Sequence, residues 1–143
     1  MMNILYMDDF DLTLETEAYF LESHAHFTTI WTEDQFTIYA DPVLGALTVN
    51  ESVKTIAIEG IYENYRVLQD NRTQALRTIN TINEDLNMGC FYLGDDGSIV
   101  FRIKQGIYRQ STAEHDISLL IQIFVMTMKR YFSESLRGLC EYI

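Results

Sequence analysis

The stretch from Asn80 to Lys104, NTINEDLNMGCFYLGDDGSIVFRIK, constrains this chain more than any other. Its spacing predicts the end of a helix, then a β-hairpin turning on Asp95-Asp96-Gly97. A three-residue loop of this kind joins a type I turn to a left-handed last residue, a conformation glycine adopts without steric cost. Gly94 then opposes Ser98, Leu93 opposes Ile99, Phe91 opposes Phe101 and Gly89 opposes Ile103. Opposed residues share a face. Leu93, Phe91, Ile99, Phe101 and Ile103 therefore line one apolar face, and Cys90, Tyr92, Val100, Arg102 and Lys104 line the other. A four-residue loop would slip one strand by a residue and mix Arg102 with Phe91, so the shorter loop is expected.

A second hairpin is expected earlier. Phe27 to Thr32 and Gln35 to Ala40 flank Glu33-Asp34. A two-residue loop sets Trp31 against Phe36, Thr29 against Ile38 and Phe27 against Ala40. Ile30 and Tyr39 fall on its other, mainly polar face, the alternation of an antiparallel sheet covered on one side. Asp41-Pro42 ends the strand, and Val43 to Val49 reads as a short edge strand or a loop. Thr55 to Glu59 reads as a further strand, with Gly60 as a bulge.

Three helices complete the pattern. The first, about Leu12 to Ser23, follows Asp8, Asp9 and Asp11 and is expected to bury Leu14, Ala18, Leu21 and Ala25. The second is capped by Asp70 or Asn71, reaches about Leu86, and buries Ala75, Leu76, Ile79, Ile82 and Leu86. Asn83 shares that face, and a buried amide needs hydrogen-bond partners. Tying the helix to a neighbouring strand or loop is the expectation there, ahead of a ligand contact. The last helix opens on the capping-box pattern Ser111-Thr112-Ala113-Glu114 and runs almost to the C-terminus. Ile117, Ile121, Phe124, Met128, Tyr131, Leu136 and Leu139 trace its apolar face. The expected fold is α+β: an antiparallel sheet of two hairpins plus one or two strands, helices mainly on one face, and a long C-terminal helix.

The 143 residues suit one domain, 1–143, and contain no repeat or long linker. The start lacks the basic region of a secretory signal, and no apolar run approaches a membrane helix, so a cytoplasmic protein without a membrane partner is expected. Cys90 and Cys140, outside any C-x-x-C motif, are expected as free buried thiols. The net charge is −11, and residues 1 to 50 hold nine acids and no Lys or Arg. Nucleic acid is not an expected partner of such a chain, because phosphate contacts need clustered cations.

No catalytic or metal constellation stands out. His24 and His26 are too few for a metal, with His115 remote. Cys90 has no base beside it in sequence. Asp95-Asp96-Gly97 lacks the spaced acids of a calcium loop. No cofactor is expected.

The run Asn80-x-Ile82-Asn83, Gly89-x-Phe91 and Asp96-Gly97-x-Ile99-x-Phe101-Arg102 resembles the YbjN family, described as bacterial sensory transduction regulators. The resemblance extends from about Phe27 to Leu139. It implies a fold like that of type III secretion chaperones, which are small, acidic, often dimeric proteins that bind other proteins. It carries no catalytic residues.

Two surfaces follow as candidates. One is the sheet face opposite the helices, with Ile30, Tyr39, Cys90, Tyr92, Val100, Arg102 and Lys104, richer in apolar groups than a solvated face needs; either it meets a partner, or a loop or the N-terminal segment of the chain covers it. The other is the far side of the last helix, with Ile123, Val125, Met126 and Phe132. Either the first helix or a second copy of the chain would cover it. The expected function is a non-enzymatic, protein-binding domain, chaperone-like or regulatory, with a homodimer among its partners. The competing expectation is a small-ligand sensor or enzyme with a pocket between sheet and helices.

Overall fold

The computed structural model describes residues 8–22, 28–32 and 35–143, with the backbone alone described for 28–32 and 35. In chain order the elements are α1 (Leu12–Glu22), β1 (Thr28–Thr32), β2 (Gln35–Ala40), β3 (Val43–Asn50), β4 (Thr55–Tyr62) and β5 (Tyr65–Val67), followed by α2 (Arg72–Asp85), β6 (Cys90–Leu93), β7 (Ile99–Gly106), α3 (Gln110–Tyr131) and β8 (Cys140–Tyr142). Six strands form one antiparallel sheet in the order β1-β2-β3-β4-β7-β6, and β5 pairs with β8 in a second. This is the expected α+β architecture, two hairpins joined by two further strands.

Both hairpins hold the expected register where it is described. Trp31 pairs with Phe36 and Thr29 with Ile38. Phe91 pairs with Phe101 and Leu93 with Ile99. Gly97 takes φ 87°, and the Gly94 N–H donates to the Ser98 carbonyl at 2.8 Å, closing the three-residue loop. Asp96 completes the turn by accepting from the Ser98 N–H and hydroxyl, both at 2.9 Å. Asn83 ties helix to strand as expected. Its amide donates to the Phe91 carbonyl at 2.9 Å and accepts from the Phe91 N–H at 2.8 Å. Those groups belong to an edge strand, so one side chain satisfies backbone that has no further strand to pair with.

Helix α3 crosses the inner face of the sheet, and the Phe124 ring seats against the two glycines of facing strands. A Cβ on Gly45 would lie 2.7 Å from that ring, and one on Gly60 would lie 2.4 Å from it. Phe91 and Phe101 continue the aromatic core, with ring centroids 4.6 Å apart, and Phe101 stacks on Phe124 at 5.8 Å. Tyr62 is buried, and its hydroxyl donates to the Met128 carbonyl at 2.6 Å.

Several expectations are corrected. In α1 the buried residues are Leu12, Thr16, Tyr19 and Phe20, while Leu14 and Leu21 are exposed and Ala18 with them. The helix is apolar on two sides, and the side with the larger aromatic surface is the one that packs. Leu76 of α2 is likewise exposed. β3 is an inner strand between β2 and β4, where an edge strand or loop was expected. Gly60 is no bulge: it pairs with Gly45 and Phe101 in unbroken ladders. α3 starts at Gln110 without a side-chain cap from its own first turn. Its Gln110 N–H donates instead to Asp8 at 2.9 Å, a residue far away in sequence. Beyond Tyr131 the chain passes through a π turn (Phe132–Leu136) and a 3-10 turn (Arg137–Leu139) into β8, so the last helix stops short of the C-terminus. Cys90 is exposed, not buried. His24, Ala25, His26, Phe27 and the Glu33-Asp34 loop lie outside the described residues.

A clamp fixes the start of α1. Glu51 accepts from the N–H groups of Leu12 and Thr13, at 3.0 and 2.8 Å, and from the Thr13 hydroxyl. Lys54 bridges Glu51 to the Phe10 carbonyl. Burial opposes ionisation of Glu51. The hydrogen bonds from Lys54, Leu12 and Thr13 outweigh it and hold the carboxyl at about 2, against an ordinary 4.5.

Candidate functional site: the open face of the sheet

Side chains alternate along a strand, so the residues between the core positions all point to the opposite face. The ladders align them into rows across the sheet. One row runs Tyr39, Leu44, Ile61, Val100 and Tyr92, through β2, β3, β4, β7 and β6. The next runs Thr37, Ala46, Glu59, Arg102 and Cys90. The first row is apolar and aromatic. The second carries a carboxylate and a guanidinium on paired residues, Glu59 and Arg102. A shallow depression of about 240 Å³ lies between them, lined by Thr37, Leu44, Ala46, Glu59, Ile61 and Val100 among others.

Of the predicted residues of this face, Tyr39, Cys90, Tyr92, Val100 and Arg102 fall in these rows. Tyr39 is half-buried, Val100 is 8 % exposed, and Cys90, Tyr92, Arg102 and Lys104 are exposed. Lys104 pairs with Ala57 and borders a second, smaller depression that Arg102 shares. The Ile30 backbone pairs with Thr37, and its side chain lies outside the description. Partial desolvation raises the Tyr92 hydroxyl above its ordinary 10.0, and the neighbouring Glu59 carboxylate adds to it, while Arg102 opposes it.

Sequence reasoning missed Leu44, Ala46, Glu59 and Ile61, which form the middle of the face. The signal was the alternation Leu44-x-Ala46-x-Thr48, unused because this segment read as an edge strand or a loop. Once β3 is central, its outer residues must join the outer rows of β2 and β4.

The other predicted surface divides. Val125 and Phe132 are buried within the single chain, Ile123 is half-buried and Met126 is 68 % exposed. The Phe132 ring packs between Tyr62 and Tyr65, at centroid distances of 4.6 and 4.9 Å. A second copy is therefore not needed to cover Val125 or Phe132. Ile123 and Met126 line a groove of about 580 Å³ with Leu86, Met88 and Tyr131.

Among the described residues no cluster of three or more His, Cys, Asp or Glu side chains is placed to hold a metal. No helix among them is long and apolar enough to cross a membrane. Burial pushes the Cys140 thiol up to about 11.

No curated protein matches this chain. The chain is similar to the crystal structure of YbjN from E. coli, at 15% identity and a TM-score of 0.47, over 79% of this chain and 92% of that one. The sequence profile of the YbjN family, described as "Putative bacterial sensory transduction regulator", matches residues 19–137. A match over that much of its length makes the chain a member of the YbjN family.

Proposed function

We propose that this chain is a non-enzymatic regulatory domain that binds another protein on the open face of its sheet. The observation that carries this reading is the continuous row Tyr39-Leu44-Ile61-Val100-Tyr92. Spanning five strands at their usual spacing, it is about 19 Å long. Contiguous apolar surface of this kind marks interaction sites, and tyrosine and arginine are enriched in them. The family's description as a regulator supports the same reading. So does the interior. Phe124 fills the space between α3 and the central strands, and the buried polar residues among those described, tyrosines aside, are Thr16 and Ser98. A catalytic or sensory pocket between sheet and helices would need convergent ionisable groups there. The charge of −11 disfavours nucleic acid as the partner.

The test is partner capture with face variants. Ile61→Asp places an unpaired charge in the middle of the row and should abolish capture without altering the circular dichroism spectrum. Leu119→Asp, on the exposed side of α3, should capture as the parent does. Loss of binding with Leu119→Asp but not with Ile61→Asp would move the interface to the helical layer.

A further inference from the structure

At one end of the open face the turn after β2 and the turn after β4 lie side by side, joined by the Glu63 N–H donating to the Pro42 carbonyl at 2.7 Å. Their carboxylates, Asp41 and Glu63, line a cavity of about 390 Å³ with the rings of Tyr39, Tyr65 and Tyr142. The β5–β8 ladder sets two of those rings opposite each other: Tyr65 pairs with Tyr142, ring centroids 5.2 Å apart and planes at 72°. Tyr39 donates to Asp41 at 3.2 Å, which fixes the third wall. Among the described residues neither Asp41 nor Glu63 forms an ion pair. Tyr142 is 69 % exposed, which leaves part of its ring open to solvent.

Aromatic faces attract cations held within about 6 Å of the ring centre, and carboxylates beside them add to the attraction. We infer that this three-tyrosine box takes a cationic side chain, a lysine ammonium or an arginine guanidinium, of the protein partner. The inference rests on the protein-binding reading above and deepens it, because Tyr39 belongs both to the box and to the apolar row. A partner segment lying along the row would bring a basic residue to its end. Partial desolvation, followed by Asp41, Glu63 and Tyr142, raises the Tyr39 hydroxyl above its ordinary 10.0. Arg137 lines the same cavity, exposed and without an ion pair among the described residues. It stands as a competing positive charge, and this gives the inference a sign that can be tested.

N-acetyl-lysine methylamide is titrated into the full chain while tyrosine ring resonances are followed by NMR. Tyr39, Tyr65 and Tyr142 should shift together, and the neutral Nε-acetylated analogue should leave them in place. Tyr142→Ala and Asp41→Asn should each weaken binding about two- to five-fold, the worth of one exposed cation–π or charge contact. Arg137→Gln should tighten it. No ring shift with the lysine probe, or binding lost with Arg137→Gln, would overturn the inference, the latter by marking an anion site. Ile61→Asp should leave binding of the free probe unchanged, so failure of the protein-binding reading is separable from failure of the box. Partner capture that survives Asp41→Asn combined with Tyr142→Ala would overturn the partner's side chain as the source of the cation.

Discussion

Replacing Gly60 by alanine tests how α3 is seated. Glycine within a strand ordinarily costs roughly 0.5–1 kcal/mol relative to alanine, so an unobstructed substitution would stabilise. Here the new methyl would lie 2.4 Å from the Phe124 ring and 2.9 Å from the Leu44 carbonyl oxygen. Overpacking of this kind costs about 1–3 kcal/mol. Set against the conformational gain, Gly60→Ala should lose about 1–2 kcal/mol. Phe124→Ala alone should lose about 3–5 kcal/mol, as for other buried aromatics. In that background the ring is gone, and only the Leu44 contact remains to resist the methyl. Gly60→Ala should then cost at least about 1 kcal/mol less than in the parent, a coupling that contact residues show and distant ones do not. Urea unfolding followed by circular dichroism and by Trp31, the single tryptophan, measures all four members of the cycle. Equal costs in both backgrounds, or a stabilised Gly60→Ala, would refute the seating of Phe124 in the glycine notch.

Phe101→Ala should lose about 3–5 kcal/mol in the same assay, because the ring is fully buried between Phe91 and Phe124; near-neutral stability would contradict the hairpin register. Asn83→Ala strands the N–H and C=O of Phe91 and should cost about 1–3 kcal/mol, with faster hydrogen exchange at the Phe91 amide. Glu51 is held at about 2 in the folded chain against an ordinary 4.5. Its folded pKa is depressed, so its contribution is present above about pH 4.5 and is lost as pH falls toward about 2. The side chain is 42% exposed, so screening leaves about 1 kcal/mol. Glu51→Gln should remove that acid dependence in unfolding measured from pH 7 to pH 2.5, and an unchanged slope would count against the clamp. A disulfide-exchange reagent should modify exposed Cys90 quickly at neutral pH and Cys140 slowly, since the latter's thiol is held at about 11.

What was legible in the sequence was local. The Asp-Asp-Gly turn has one glycine to spend on a left-handed residue, and that fixes the β6/β7 register and both of its faces. Asn83 could be read because a polar side chain on an apolar helix stripe must be satisfied nearby. What could not be read depends on partners distant in sequence. α1 carries apolar residues on two sides, and only the position of α3 decides that Tyr19 and Phe20 turn inward while Leu14 and Leu21 stay out. Gly60 looked like a bulge because nothing local announces the Phe124 ring that fills its place. The Asp8 cap of α3 and the Glu51 clamp on α1 join residues far apart along the chain. The same limit hid the middle of the candidate site. Leu44 and Ile61 meet Tyr39 and Val100 only once β3 and β4 are known to be central strands.

Site-specific photocrosslinking in living cells addresses the central claim most directly. A photoreactive residue is placed at Ala46, in the depression of the open face, or at Leu119, on the exposed side of α3. The account predicts a discrete crosslinked species from Ala46 that Ile61→Asp removes, and none of that mass from Leu119. A species formed from Leu119 alone, or one from Ala46 that persists with Ile61→Asp, would contradict it.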